Sequence, residues 1–337
     1  VAYEPILNLR QTEKAIRSIK EYFQSHLAEA LNLARVSAPL FVLADTGIND
    51  NLNGIEKPAS FAVKGMGGRR AEMVQSLAKW KRMALADYGF EPGEGLYTDM
   101  NAIRPDEVLD ATHSIYVDQW DWERVMNPQE RNLTFLRDIV SRIYGVIRCT
   151  ETYVAEFEPR IRPCLPDKIQ FVHTEDLQRR FPELSPRERE DRIARECGAV
   201  FIVGIGATLA DGRPHDGRAP DYDDWTTPTE NGRGLNGDIF VWNPVLERGF
   251  ELSSMGIRVD AESLKRQLAL TGQEDRLKLM FHRRLVAGEL PQTIGGGIGQ
   301  SRLCMFFLRK AHVGEVQCSV WPEEMREELR RQNVPLL

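Results

Sequence analysis

The chain reads as an α+β protein in which an antiparallel sheet is flanked by helices. Helical stripes and strand-like runs both occur along its 337 residues, but without the regular strand–helix–strand alternation of a doubly wound fold. Several strand candidates are separated only by short or turn-rich connections, which suit antiparallel pairing because parallel neighbours need a long crossover.

From about Arg10 to Leu31, Ile16, Ile19, Phe23, Leu27 and Leu31 recur at three- and four-residue steps, which predicts a long amphipathic helix at the start of the fold. Val36 to Leu43 contains Pro39, which cannot donate to an interior ladder, so an extended edge segment is expected there. A polar loop with Gly and Asn follows from Asp45 to Lys57. Ser76 to Arg82 reads as helical, and Leu96 to Glu107 as a strand entering a loop. Ile115 to Val125 alternates, with Tyr116, Trp120 and Trp122 on one side and Val117, Gln119, Asp121 and Glu123 on the other, giving a strand with a charged face.

Leu133, Leu136, Val140, Ile143 and Ile147 restore helical periodicity between Arg131 and Phe157. Ser185-Pro186-Arg187-Glu188 has the form of a capping box, and the helix it starts is expected to end at Gly198. Ala199 to Ile205 and Ile239 to Trp242 are apolar and β-branched and read as strands. Asp260 is the expected cap of a helix carrying Leu264, Leu268 and Leu270. No internal repeat or low-complexity linker divides the chain, so one continuous domain over residues 1–337 is expected.

The composition limits the function. Hydrophobic residues make up 42% of the chain, enough for a sizeable core, so a disordered or fibrous protein is excluded. The 44 Lys and Arg against 50 Asp and Glu leave a net charge of −6 with no long single-sign block, which argues against a nucleic-acid partner. No run approaches the ~18 apolar residues of a membrane span, and no basic segment followed by an apolar run opens the chain, so a cytoplasmic protein without a membrane partner is expected. The start at Val1 suggests that an initiating Met or a short leader is missing. Cys149, Cys164, Cys197, Cys304 and Cys318 are odd in number and form no C-x-x-C pair, so neither a disulfide framework nor a thiolate zinc site is indicated.

Common catalytic signatures fail in turn. There is no Gly-Lys dipeptide for a P-loop, the glycine cluster near residue 297 does not match G-x-G-x-x-G, and neither H-E-x-x-H nor G-x-S-x-G occurs. What remains is Thr293-Ile294-Gly295-Gly296-Gly297-Ile298-Gly299-Gln300-Ser301-Arg302-Leu303, followed by a helix-like apolar run through Leu308. Glycines let a flat ligand lie on the backbone, and a guanidinium can stack on a base or bind a phosphate oxygen. A flexible turn next to a surface arginine is the ordinary alternative. Upstream, Arg104 stands three residues ahead of Glu107; the arginine can neutralise a phosphate and the glutamate accept from an adenine amino group, although a surface ion pair would look the same.

These two stretches resemble motifs two and three of class II aminoacyl-tRNA synthetases, and the Pro39 segment resembles motif one. Longer strings, Ser76-Leu77-Ala78-Lys79-Trp80-Lys81-Arg82, Tyr116 to Glu123, Ala219 to Trp225 and Phe250 to Arg258, resemble the ammonia-dependent asparagine synthetases, the aspartate–ammonia ligases. The resemblance runs from roughly Ile6 to Glu324. It implies a class II synthetase-like antiparallel sheet flanked by helices and a homodimer. It also implies that aspartate, ATP and ammonia become asparagine, AMP and pyrophosphate through β-aspartyl-adenylate.

The resemblance implies the site residues as well. Asp50, Lys81, Arg104, Gln119, Asp223 and Arg302 match catalytic positions. Asp50, Ser76, Lys81, Arg104, Gln119, Asp121, Arg218, Asp223 and Ser254 match positions that hold aspartate. Arg104, Glu107, Glu251, Arg258, Gly297, Gly299 and Arg302 match positions that hold ATP. Glu251, with Asp238 as the second choice, offers the hard oxygen ligands that Mg²⁺ prefers beside ATP phosphates. Arg258 is expected to pair with the phosphates or with Glu251.

From spacing alone, Lys81 reads equally well as a solvated helix charge, Gln119 and Asp121 as the wet face of an exposed strand, and Asp221 to Asp224 as a solvated loop. Asp50 is the candidate to hold ammonium and accept its proton. Glutamine use would need a separate amidohydrolase site with an activated cysteine, and no such site is visible. The second reading is a class II aspartyl- or asparaginyl-tRNA synthetase. It is disfavoured because the first helix begins near residue 10, leaving no room for an anticodon-reading barrel, and because the charge balance is acidic. A non-catalytic binding protein is a third reading, disfavoured because the arginines, acids and glycines for turnover remain.

Overall fold

The computed structural model describes residues 3–50 and 57–337. The strands are β1 (Leu33–Arg35), β2 (Phe41–Leu43), β3 (Ser60–Val63), β4 (Arg69–Met73), β5 (Gly95–Ile103), β6 (Tyr116–Val125), β7 (Gln170–His173), β8 (Ala199–Val203), β9 (Pro228–Thr229), β10 (Gly232–Arg233), β11 (Asn236–Asn243), β12 (Arg248–Ile257) and β13 (Thr293–Gly299). The helices are α1 (Leu9–Leu31), α2 (Ala78–Asp87), α3 (Leu133–Phe157), α4 (Thr174–Arg180), α5 (Pro186–Cys197), α6 (Ala261–Leu270), α7 (Met280–Val286), α8 (Gln300–Phe307) and α9 (Glu323–Arg331).

The predicted starts of α5 and α6 have the expected chemistry, and Asn8 caps α1 in the same way. Asn8 caps α1 by accepting from Gln11, Ser185 and Glu188 close a reciprocal capping box before α5, and Asp260 accepts from two backbone amides of α6. Helix α5 stops at Gly198, whose φ of 74° lies in the region that an L side chain avoids.

Eight strands form the main sheet in the order β1-β5-β6-β13-β12-β11-β8-β7. The interior pairs are antiparallel, as expected, but the two outermost pairs, β1 with β5 and β7 with β8, are parallel. Each parallel pair is separated in sequence by a long crossover, through the small sheet β2-β4-β3 and α2 on one side and through α4 and α5 on the other. The segment from Val36 to Leu43 is therefore not one edge strand of the main sheet. β1 ends at Arg35, and Phe41 to Leu43 pair with β4 in the separate three-stranded sheet. The expected loop from Asp45 to Lys57 begins in a short 3-10 turn at Ala44–Thr46, and its residues 51–56, like Val1, lie outside the described residues.

The alternation in the central strands separates two faces. Trp120 and Trp122 of β6, Ile294 and Ile298 of β13, and Met255 and Ile257 of β12 join the main core with α1, α3 and α8. The Phe23 ring of α1 packs 4.7 Å from that of Trp120. The opposite face carries Gln119, Asp121 and Glu123, Gly295, Gly297 and Gly299 of β13, and Ser254. A register shift between β11 and β12 at Ile239/Phe240 interrupts the alternation next to Glu251. β13 is thus a central strand, and its glycines form neither a flexible turn nor a loop.

Candidate active site

The polar face opens into a cavity of about 410 Å³. Asp50, Ser76, Lys81, Arg104, Glu107, Gln119, Asp121, Arg218, Asp223, Glu251, Ser254, Arg258, Gly297, Gly299 and Arg302 all line it. These are all the expected site residues except Asp238. That carboxylate lines a smaller adjoining cavity of about 310 Å³, whose wall also includes Glu251 and Arg302. Arg104, Glu251 and Arg302, expected to act on one ligand, thus face a common hollow.

The floor shows why a strand of glycines is needed. A Cβ on Gly297 would stand 2.8 Å from Asp121 Oδ1 and collide with Gln119 Oε1, and one on Gly295 would collide with the Glu123 carboxylate. Side chains of β6 therefore lie across bare backbone. Lys81 enters from α2 above them: its Nζ donates to the Trp122 and Gly296 carbonyls at 3.0 Å each and lies 3.3 Å from Asp121. The lysine is 1% exposed, so it is no solvated helix charge. Burial pushes its ammonium below the usual lysine range, against the opposing pull of Asp121 and Glu123. Asp121, 3% exposed beside the wholly buried Glu123, is likewise no wet strand face, and Gln119 is half-buried over Gly297.

Arg258 has partners other than those expected. Its Nε and Nη2 bind Glu123 at 3.0 and 2.9 Å, and its Nη1 binds Asp223. Its guanidinium is therefore committed to two floor carboxylates and not to Glu251. Burial alone would raise the Glu123 carboxyl, but Arg258 and Lys81 outweigh it and hold the group below the ordinary glutamate range. At Asp223 burial wins over Arg258 and Arg218, and the carboxyl is raised. The Asp221 to Asp224 segment is buried throughout its acids and is not a solvated loop.

Sequence comparison places this geometry. The profile of the aspartate-ammonia ligase family matches residues 10–333. Aspartate–ammonia ligases of Bacteroides thetaiotaomicron and Parabacteroides distasonis are 58% and 59% identical to this chain over 336 residues, 99% of it and 97% of each relative. The chain belongs to the aspartate–ammonia ligase family. Solved structures add the fold. Asparaginyl-tRNA synthetase of Pyrococcus horikoshii complexed with asparaginyl-adenylate is 14% identical with a TM-score of 0.66, over 92% of this chain and 70% of that one. The Entamoeba histolytica asparaginyl-tRNA synthetase, also with asparaginyl-adenylate, is 14% identical with a TM-score of 0.65, over 93% and 69%. The architecture is that of the class II synthetases, as the motif resemblance implied.

At the far wall of the ligase cavity, Arg302 Nη1 lies 3.3 Å from Glu251, and Arg218 binds Asp238. Glu251 is therefore paired with Arg302. Burial, together with the nearby Glu251 charge, outweighs Arg218 and pushes the Asp238 carboxyl up to about 7. Burial is outweighed at Glu251 by Arg302 and Arg218, which hold its carboxyl below the usual range. Arg104, just past β5, donates to the Gln75 carbonyl at 3.3 Å, and its own amide is tied to Ile115 across the hairpin at 2.8 Å. Asp50 is 1% exposed, and its amide is held 3.0 Å from the Asn49 side chain.

Several residues of the ligase site were missed by sequence reasoning. Glu123 shares a face with Gln119 and Asp121, so the two-residue step along β6 could have found it. Glu123 itself lies beneath the floor, bound to Arg258 and Thr293, whereas Tyr222, Asp118, Ser301 and Gln317 line the cavity, but no spacing marks them. Asp118 accepts from the Ser301 amide at 3.1 Å and from Gln317 at 3.3 Å, joining β6 to the start of α8.

Proposed function

We propose that this ligase makes asparagine in two steps through β-aspartyl-adenylate, consuming ATP and releasing AMP and pyrophosphate. In the first, a β-carboxylate oxygen of aspartate attacks the α-phosphorus and the bond to pyrophosphate breaks. The attack brings an anion to a polyanion, so fixed cations must offset charge that grows in the transition state. Arg104 and Arg302 take this role at the phosphates, with Glu107 at the adenine amino group and Gly297 and Gly299 as the bare floor beneath the nucleotide. Lys81, Ser76, Gln119, Asp121, Arg218, Asp223 and Ser254 hold the amino acid, which carries both signs of charge and so needs both in its pocket. Arg258 shapes that pocket by fixing Asp223 and Glu123.

In the second step ammonia attacks the activated carbonyl carbon and the carbon–oxygen bond to AMP breaks. Asp50 holds the incoming ammonium and takes its proton, freeing the lone pair for attack. Free ammonia, and not glutamine, is the nitrogen source.

The residues also fit Mg²⁺. Asp238 and Glu251 are two hard carboxylates on the wall of one cavity, the donor chemistry that this ion takes beside phosphate oxygens. These two side chains would hold the ion, which when bound would neutralise phosphate charge. We extend the proposal to a cytoplasmic homodimer with no nucleic-acid or membrane partner; light scattering at twice the chain mass checks the assembly.

The single observation that carries this reading is the shared cavity of Arg104, Glu251 and Arg302 with Asp50, Lys81 and Asp223. The test incubates the protein with aspartate, ATP, Mg²⁺ and ammonium, and assays asparagine and pyrophosphate with and without tRNA. Asparagine formed without tRNA, with one pyrophosphate and one AMP per amide, supports the proposal. Charging of tRNA in place of free asparagine replaces it with the synthetase reading, and ADP with phosphate as products removes the adenylate.

A further inference from the structure

Behind the cavity wall lies a second ionic cluster that the reaction does not use. The Asp221 carboxylate is wholly buried, and its Oδ2 accepts from Lys79 Nζ at 3.0 Å, Arg276 Nη1 at 2.8 Å and His282 Nε2 at 2.9 Å. Lys79 and His282 are as deeply buried as the acid. None of the four lines the cavity. A carboxylate out of water is costly unless paired, and one oxygen shared by three donors fixes three pieces of chain at a point.

Those pieces all bear on the substrate pocket. Asp221 directly precedes Tyr222 and Asp223, both on the cavity wall. Lys79 stands two residues before Lys81 on α2, so the two lysines leave the helix on nearly opposite sides, one toward Asp221 and the other onto the glycine floor. His282 belongs to α7, and Arg276 to the 3-10 turn Glu274–Lys278 before it. This helical body also supports the approach to Asp50: Ile48 packs on the cluster of Met83, Leu264, Phe281 and Leu285, and a Cβ on Gly47, whose φ is 73°, would fall 2.8 Å from Leu279. Backbone bonds tie the other side of the Tyr222–Asp223 segment to the end of β12 and the residues just past it, with Asp224 N donating to Ile257 O at 3.0 Å and Val259 N donating to Tyr222 O at 2.8 Å. Asp221 closes the remaining side.

We infer that Asp221 is a positioning residue for the amino-acid substrate, holding the Tyr222–Asp223 segment and Lys81 at a fixed separation across the aspartate pocket. The inference rests on the reading of that end of the cavity as the aspartate site. Its mark is selectivity: loosening this clamp shifts the groups around aspartate, whereas Arg104, Glu251 and Arg302 at the nucleotide end share no bond with it.

The test compares steady-state kinetics of the intact enzyme with those of Asp221→Asn, His282→Leu and His282→Gln. Wild-type asparagine synthesis is the control for the underlying reading; if it is absent, that reading fails whatever the variants do. With it present, Asp221→Asn is expected to raise the KM for aspartate by roughly tenfold or more while the KM for ATP stays within about twofold, since small displacements are felt mainly by the group they hold. His282→Leu removes one donor and is expected to raise the aspartate KM by roughly threefold to tenfold. His282→Gln can restore an N–H to Asp221 and should return it to within about twofold of wild type. Should Asp221→Asn fail to fold, the two His282 variants decide. The inference is overturned if the KM values for aspartate and ATP rise together, if the aspartate KM does not move, or if leucine and glutamine at 282 behave alike.

Discussion

Arg302 separates chemistry from folding because its side chain is 24% exposed and its one carboxylate partner among the described residues, Glu251, lies 3.3 Å away. An ion pair that wet contributes little to stability. Its guanidinium nevertheless faces the cavity where phosphate charge is expected, and removing one preorganised donor of that kind costs a reaction about 10²–10³ in rate. Arg302→Ala is therefore expected to lower kcat/KM for ATP by that factor, read as asparagine formed per minute, with a loss of under about 1 kcal/mol in urea unfolding. A loss of several kcal/mol with a near-normal rate would show that Arg302 serves the fold instead. The contrast is Arg258, which is 3% exposed between Glu123 and Asp223 and whose loss would leave two buried carboxylates unpaired. Sequence alone could not separate these two arginines, because a guanidinium's role depends on which acids the fold brings to it.

The elements were more legible than the contacts between them. Periodicity located α1 and α3, and cap chemistry at Ser185 and Asp260 marked α5 and α6. β13 was harder, since Gly295, Gly296, Gly297 and Gly299 erase the side-chain alternation by which a strand is recognised. Its strand character comes from its neighbours β6 and β12, which are distant in sequence. Gly297→Ala tests the reason for those glycines. The new methyl would strike Gln119 and Asp121, so the variant should lose about 1–3 kcal/mol of stability and most asparagine formation, measured by urea unfolding and product assay. Retention of both would mean that the floor can yield.

A second element with a measurable consequence is the 3-10 turn Val313–Glu315. Its cap is His312, whose Nδ1 accepts from the Gly314 amide at 3.0 Å, and burial pushes the imidazole down to about 4. The unfolded chain, with an ordinary histidine near 6.5, binds the proton first. The stabilisation is thus complete above about pH 6.5 and is lost as the pH falls toward about 4, by about 2 kcal/mol after discounting for solvent. His312→Asn keeps a capping acceptor that does not titrate, so its urea midpoint should fall less over that interval than that of wild type. Equal falls would remove His312 as the source.

For the whole molecule, the sequence revealed the polar face before its geometry. Alternation in β6 put Gln119, Asp121 and Glu123 together, and the family resemblance supplied the remaining site residues, but neither could show that the charged face is buried. That follows only when α2 and the Asp221–Asp224 segment fold over the sheet and close the cavity. The cavity is consequently walled by the β5–β6 hairpin, α2, β12, β13 and the start of α8, pieces that meet only in the native state. A ligand seated there binds the folded chain and not the unfolded one, and must stabilise the molecule by mass action. Mg²⁺ with ATP at a hundred times its Kd is expected to add about 2.7 kcal/mol to the unfolding free energy, seen as a raised thermal midpoint. The same addition to Arg302→Ala, at the same concentrations, should produce a much smaller rise, because the weakened site is then far from saturation. An undiminished rise in the variant would place the nucleotide outside the hollow that Arg104, Glu251 and Arg302 share.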